Sequence, residues 1–185
     1  FTRNRRVRGK MQKILLLVAM PEELPTPPNP DMILVHMGIG KVNAAWQTVR
    51  ALERYKPDLV INFGTAGVVM PEIRGLVEVG AACQRDMDVR ALGVALGYTP
   101  FEADSHLIRF ANSPLLCGTG DSFAASRPEL PCDLVDMELY AIAKICRIEQ
   151  TPLRAFKYIS DQADHAAPQD WRLALNHAAL AFSAR

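Results

Sequence analysis

Apolar runs separated by glycine, proline and acidic residues parse most of this chain into strands and helices. Lys13–Ala19 is apolar at every position after the first, which predicts a strand covered on both faces. Leu24–Asp31 carries four prolines and can be neither helix nor central strand. Met32–Met37 reads as a second strand. At Gly38-Ile39-Gly40-Lys41 the pattern turns helical, with Ala45, Val49 and Leu52 on one face of a helix from about Val42 to Tyr55. Asp58–Phe63 is a third buried strand, ending in Gly64-Thr65-Ala66-Gly67. Leu76–Ala82 predicts another strand, Asp86–Ala103 an irregular loop, Ser105–Asn112 a short helix and Leu115–Cys117 a short strand. A proline-bearing stretch, Arg127–Pro131, precedes a strand over Leu134–Asp136. Met137–Cys146 continues as a helix striped by Leu139, Ile142, Ala143 and Cys146. Leu153–Ile159 is the last strand, and Trp171–Phe182 a terminal amphipathic helix. Strands alternating with helices predict an α/β fold, a three-layer, mixed, mainly parallel twisted sheet flanked by helices.

The 185 residues, 49% apolar and 22% charged, suit a single domain over residues 11–185. The net charge of +1 conceals an asymmetry: residues 1–10 hold five basic side chains and no acid, leaving 16 basic against 20 acidic residues elsewhere. A basic arm can bind nucleic acid or anionic lipid. A strand starting directly after Met11 favours a leader, an expression remnant or a misplaced start, and no nucleic-acid partner is expected. Cys83, Cys117, Cys132 and Cys146 form no CxxC pair, so neither a zinc-site spacing nor a disulfide framework is present, and a cytoplasmic location is expected. No apolar run approaches the ~20 residues that span a bilayer, so no membrane association is expected. None of the histidines has helical ligand spacing beside an acid, and neither metal nor cofactor is expected.

Three acids sit in separate turns after apolar runs: Glu23, Glu138 and Asp161. In an α/β domain such positions converge on the crevice at the strand ends. Three carboxylates around one crevice suit hydrolysis of a bond that leaves a cationic sugar behind. Each also has a plainer reading. Either Glu22 or Glu23 is a solvated acid, Met137-Glu138 opens a helix where an acid complements the dipole, and Ser160-Asp161 caps a turn. Gly38-Ile39-Gly40-Lys41 lacks the GxxxxGK[ST] spacing, which excludes a triphosphate loop.

The motifs Ala19-Met20-Pro21-Glu22-Glu23, Gly38-Ile39-Gly40-Lys41-Val42, Ile61-Asn62-Phe63-Gly64-Thr65-Ala66-Gly67, Thr119-Gly120-Asp121-Ser122-Phe123, Asp136-Met137-Glu138 and Ile159-Ser160-Asp161 follow in that order. Together they resemble the 5′-methylthioadenosine/S-adenosylhomocysteine nucleosidases of the purine nucleoside phosphorylase superfamily. The resemblance implies a nucleoside phosphorylase-like fold, a homodimer, and hydrolysis of a purine nucleoside at its N-glycosidic bond. It makes Asp161 the general acid oriented by Ser160, and Glu23 the residue that positions water and repels phosphate. It makes Glu138 the ribose clamp, Met137 an apolar wall, Phe123 the stacking partner of the base and Ala124 its backbone contact. Ala66 and Gly67 would lie under the nucleoside and Ile39 along its 5′ side. Residues Val89–Phe101, beginning with Val89, would enclose the 5′ substituent, partly across the dimer.

The chain also departs from the family pattern. Leu24–Asp31 stands where a strand hairpin is usual, and the connections around Ser105–Leu115 and Arg127–Asp133 are short. Lys157 occupies a position commonly held by arginine. Sister activities therefore stay open: futalosine hydrolysis, for which Arg90 would supply a cation, a phosphorylase, or a nucleoside-binding relative without catalysis.

Overall fold

The first apolar run decides the architecture. In β1 (Ile14–Val18), Leu15 and Leu17 enter one core cluster while Leu16 and Val18 enter another, and all four are fully buried. Successive strand residues point to opposite faces, so a strand apolar at every position needs cover on both. α1 (Lys41–Tyr55) and α2 (Leu139–Ile148) cover the face of Leu15, Leu17 and Val60. α3 (Ala167–Ser183) covers the other through Ala178 and Phe182, whose ring stacks on Phe63 at 4.3 Å between centroids. Three layers result. This computed structural model describes residues 12–102, 106–124, 126–163 and 167–184; the basic arm over residues 1–10 and position 105 lie outside the described residues.

β1 pairs in parallel with β2 (Ile33–His36) and β3 (Leu59–Val68). On its other side β3 pairs in parallel with β9 (Leu153–Asp161), which pairs antiparallel with β4 (Leu76–Val79). β5 (Ala81–Gln84) lies between β6 (Leu107–Arg109), antiparallel, and β7 (Leu116–Thr119), parallel. β7 pairs in parallel with β8 (Leu134–Asp136), and β8 returns antiparallel to the end of β3 at Gly67 and Val68. The nine-stranded sheet is thus mixed and mainly parallel, ordered β2-β1-β3-β8-β7-β5-β6, with β9 and then β4 branching from β3.

Three elements differ from the sequence expectation. Leu76–Ala82 is not one strand, because it changes partners at Gly80, from β9 on one side to β6 and β7 on the other. A Cβ on Gly80 would lie 1.8 Å from the Ser113 carbonyl oxygen, so only glycine permits the crossing. The short helix expected over Ser105–Asn112 is instead the edge strand β6, because pairing with β5 outweighs a weak local pattern. β3 also continues through Gly64-Thr65-Ala66-Gly67, where a turn was expected, held extended by β9 and then β8. Leu24–Asp31 forms turns and bends, as its prolines require, although Leu24 itself is buried against Phe63 and Phe156. Among the described residues, no helix is long and apolar enough to cross a membrane.

Replacing Gly80 by alanine is expected to cost at least about 3 kcal/mol, because the clash is with backbone that a rotamer change cannot relieve. A fall in the urea midpoint with an unchanged slope would show this, and an unaltered midpoint would refute it.

Candidate active site

The carboxyl ends of β1, β2, β3, β7, β8 and β9 open onto one cavity, the place where parallel α/β sheets gather functional groups. Glu23 comes from the turn after β1, Ile39 from the turn after β2, and Ala66 and Gly67 from the end of β3. Phe123 and Ala124 follow β7, Met137 and Glu138 follow β8, and Ser160 and Asp161 end β9. All of these residues line the cavity. Val89 does not: it precedes a short 3-10 turn at Arg90–Leu92, away from this wall.

The glutamate pair resolves, since Glu22 is exposed whereas Glu23 is buried at 3% exposure. Glu23 Oε1 accepts from the Thr65 amide at 2.9 Å and the Thr65 hydroxyl at 2.8 Å. Glu23 Oε2 is buried and accepts no hydrogen bond from the described residues. Thr65 in turn receives the Trp171 indole N–H at 2.9 Å, and both residues line the cavity.

Asp161 is buried, with Oδ1 accepting from the Ala163 amide at 2.9 Å. Ser160 Oγ lies 2.6 Å from Asp161 Oδ2 and 3.3 Å from the Ala66 carbonyl oxygen. A hydroxyl has a single proton, so it can donate to an ionised Asp161, or accept from a protonated one while donating to Ala66. Gly67 makes this placement possible, because a Cβ there would stand 2.6 Å from Asp161 Oδ1. The β3–β9 register shifts at the same point, between Ala66 and Gly67.

Glu138 Oε1 accepts from the Gly40 amide, at 2.9 Å, just before α1. Burial is the main force that pushes its carboxyl up to about 7, with the Asp136 charge adding to it and Lys157 opposing. Asp136 itself was not singled out from the sequence. Burial pushes it up as well, but its ion pair with Lys157 (2.8 Å, both side chains 1% exposed) and its hydrogen bonds hold it below the usual carboxylate range. It also accepts from the Thr119 hydroxyl and from the Leu139 amide that begins α2. Lys157 is held firmly protonated despite burial. A Cβ on Gly64 would lie 3.3 Å from Lys157 Nζ and 3.5 Å from Glu23 Oε1, which places the ammonium beside the site's first acid. Lys157 thus lies near Asp136, Glu138 and Glu23, and Asp161 lines the same cavity.

Two arginines bear on other chemistries. Arg85 lines the cavity, but its guanidinium donates to the Gly120 and Ser122 carbonyls and to the Ser122 hydroxyl. Arg90 lies outside the cavity, paired with Asp88 at 2.6 Å and Glu129 at 2.5 Å. Among the described residues, no group of three or more histidine, cysteine or acidic side chains is placed to hold a metal ion.

A family model of the phosphorylase superfamily matches residues 28–184. A 5′-methylthioadenosine/S-adenosylhomocysteine nucleosidase from Marinomonas sp. is 34% identical over 177 residues, 80% of this chain and 76% of that protein. The chain is a member of that nucleosidase family. It is an enzyme, an N-glycosyl hydrolase by class. The fold agrees with solved structures. A Helicobacter pylori nucleosidase mutant with 5′-methylthioadenosine in its active site superposes with a TM-score of 0.83 at 22% identity, covering 94% of this chain and 95% of that one. A Helicobacter pylori futalosine hydrolase gives 0.82 at 22% identity, covering 94% of each.

Within this nucleosidase, sequence reasoning left Asp136, Thr65, Arg85 and Trp171 without roles. A usable signal existed for Asp136, since it is a charge that closes one apolar strand while Lys157 is an opposite charge inside another. Lys157→Met is expected to cost about 3–5 kcal/mol, because it strands a buried carboxylate. Adding Asp136→Asn should recover part of that loss in urea denaturation; an equal or larger loss in the double variant would show that the pair is not what holds the two strands.

Proposed function

We propose that this enzyme hydrolyses 5′-substituted adenine nucleosides, 5′-methylthioadenosine and S-adenosylhomocysteine, releasing adenine without phosphate. The observation that carries this reading is that Glu23, Glu138 and Asp161 are buried around one cavity, with Glu23 Oε2 accepting nothing from the described residues. Water held by Glu23 Oε2 attacks the anomeric carbon and passes a proton to that carboxylate. The bond from sugar to base breaks, its electron pair stays on the base, and Asp161 supplies a proton to a ring nitrogen so that adenine leaves neutral. Ser160 suits this exchange because its hydroxyl can serve either protonation state of Asp161. Glu138 accepts from the two ribose hydroxyls and sets negative charge beside the oxocarbenium-like sugar. Met137, Ala66 and Gly67 would wall the sugar, Phe123 and Ala124 the base, and Ile39 the 5′ group. A buried Glu23 carboxylate on the side of attack argues against an attacking phosphate.

The futalosine reading needs a free cation for a carboxylated 5′ group. Arg90 is already held by Asp88 and Glu129, so adenine nucleosides are preferred. We further propose a cytoplasmic homodimer serving methionine salvage. Support comes from the four free, buried cysteines and from exposed apolar side chains, Ile39 in the turn before α1 and Val42 and Trp46 on α1. Sedimentation at the mass of one chain, or recovery outside the cytoplasmic fraction of host cells, would count against those assignments.

Chromatography of products should show adenine released from 5′-methylthioadenosine at equal rates with and without phosphate; release only with phosphate would identify a phosphorylase. Faster turnover of futalosine would overturn the substrate assignment. Asp161→Asn is expected to fold normally and lose about 10²–10⁴-fold in kcat.

The raised Glu138 carboxyl sets a pH dependence. Its proton is bound more tightly in the folded chain than at the ordinary value of 4.5, so its contribution to stability is full below that value and is lost as pH rises through about 7. Ribose binding needs the ionised form, so kcat/KM should rise with pH across the same range while the melting temperature falls. Glu138→Gln should flatten both trends, and a variant that keeps both slopes would assign them to another group.

A further inference from the structure

We infer that Trp171 is a positioning residue for catalysis: its indole N–H orients the Thr65 hydroxyl toward Glu23 Oε1 and thereby reserves Glu23 Oε2 for water. This inference rests on the proposed role of Glu23 as the water-activating base. The chain of contacts is short and continuous. Trp171 Nε1 donates to Thr65 Oγ1 at 2.9 Å, and Thr65 Oγ1 donates to Glu23 Oε1 at 2.8 Å. An indole nitrogen can only donate, and a hydroxyl has one proton. Once Thr65 Oγ1 accepts from the indole, its own proton is directed at the carboxylate. The Thr65 amide adds a second bond to the same oxygen at 2.9 Å. Glu23 Oε1 is thus served twice, while Oε2 is buried with no donor from the described residues. The two oxygens of one carboxylate are made inequivalent by a hydrogen bond two residues away.

The indole is set by packing as well as by its hydrogen bond. Trp171 lies near the start of α3, whose far end is seated by Phe182 on Phe63. A helix that covers one face of the sheet therefore also fixes the orientation of a carboxylate at the strand ends. Trp171 additionally lines the cavity, so a wall role has to be separated from a positioning role. Phenylalanine keeps an aromatic wall and removes only the donor.

The test uses the full chain with 5′-methylthioadenosine. Trp171→Phe is expected to lower kcat about tenfold, the worth of one lost hydrogen bond, with KM changed less than twofold. Thr65→Ser should retain near-normal kcat and Thr65→Val should not. In the Thr65→Val chain, adding Trp171→Phe should cost nothing further, because the link is already broken. An unaltered kcat in Trp171→Phe, a change confined to KM, or fully additive losses would each overturn the positioning role.

A readout without turnover checks the contact itself. The chain has two tryptophans, and Trp46 is exposed at 59%, so nitrogen-15 labelling gives two separable indole signals. Thr65→Val should shift the Trp171 indole proton and leave that of Trp46 in place; no shift would refute the hydrogen bond. A wild-type chain that releases no adenine overturns the functional reading and the catalytic role together. A wild-type chain that does release it, beside an equally fast Trp171→Phe, overturns the role of Trp171 alone.

Discussion

A buried ion pair is the constraint around which the rest of this site is arranged. Lys157 on β9 and Asp136 at the end of β8 meet across the sheet interior with almost no exposure of either side chain. Taking two such charges out of water is expensive, and their attraction offsets that cost only when the remaining lone pairs are also satisfied. Here they are: Asp136 accepts from the Thr119 hydroxyl on β7 and from the first amide of α2. The same carboxylate therefore joins β7, β8, β9 and the start of a helix. Those are the elements whose ends carry Phe123, Glu138 and Asp161.

The ion pair also shapes the electrostatics of its neighbours. With its charge matched by Lys157, Asp136 stays ionised close to Glu138 and adds to the burial that raises the Glu138 carboxyl. Lys157 lies beside Glu23 as well, across Gly64. Carboxylates at the proposed water and ribose positions suit a site that must welcome a cationic sugar and exclude a phosphate anion. Groups held for this purpose are poorly placed for stability, because the raised Glu138 carboxyl marks a charge that the fold resists.

Much of this was legible in the chain. β1 reads as doubly covered because every position is apolar, and the alternation of strands and helices predicts the three layers. Glu23, Glu138 and Asp161 stand out because each closes an apolar run, and they do share one cavity. What failed to show were features that depend on long-range pairing. Gly80 looks like an ordinary strand residue until Ser113 is brought against it, and Leu107–Arg109 has no local preference strong enough to declare a strand. Gly64-Thr65-Ala66-Gly67 carries turn chemistry, yet β9 along its length and β8 at Gly67 hold it extended.

Trp171 was legible only as the start of an amphipathic helix, since its polar nitrogen has no sequence signature pointing to Thr65. Its placement follows from how α3 docks. Aromatic packing of Phe182 on Phe63 seats the helix on the sheet face opposite α1 and α2, and the same docking carries an indole to the strand ends. The core packing of one helix and the hydrogen bonding of a site carboxylate are therefore not separable layers of this structure. Thr65, within β3, can present its hydroxyl to Glu23 by itself, but the direction of that hydroxyl's proton is set by a residue more than a hundred positions later in the chain.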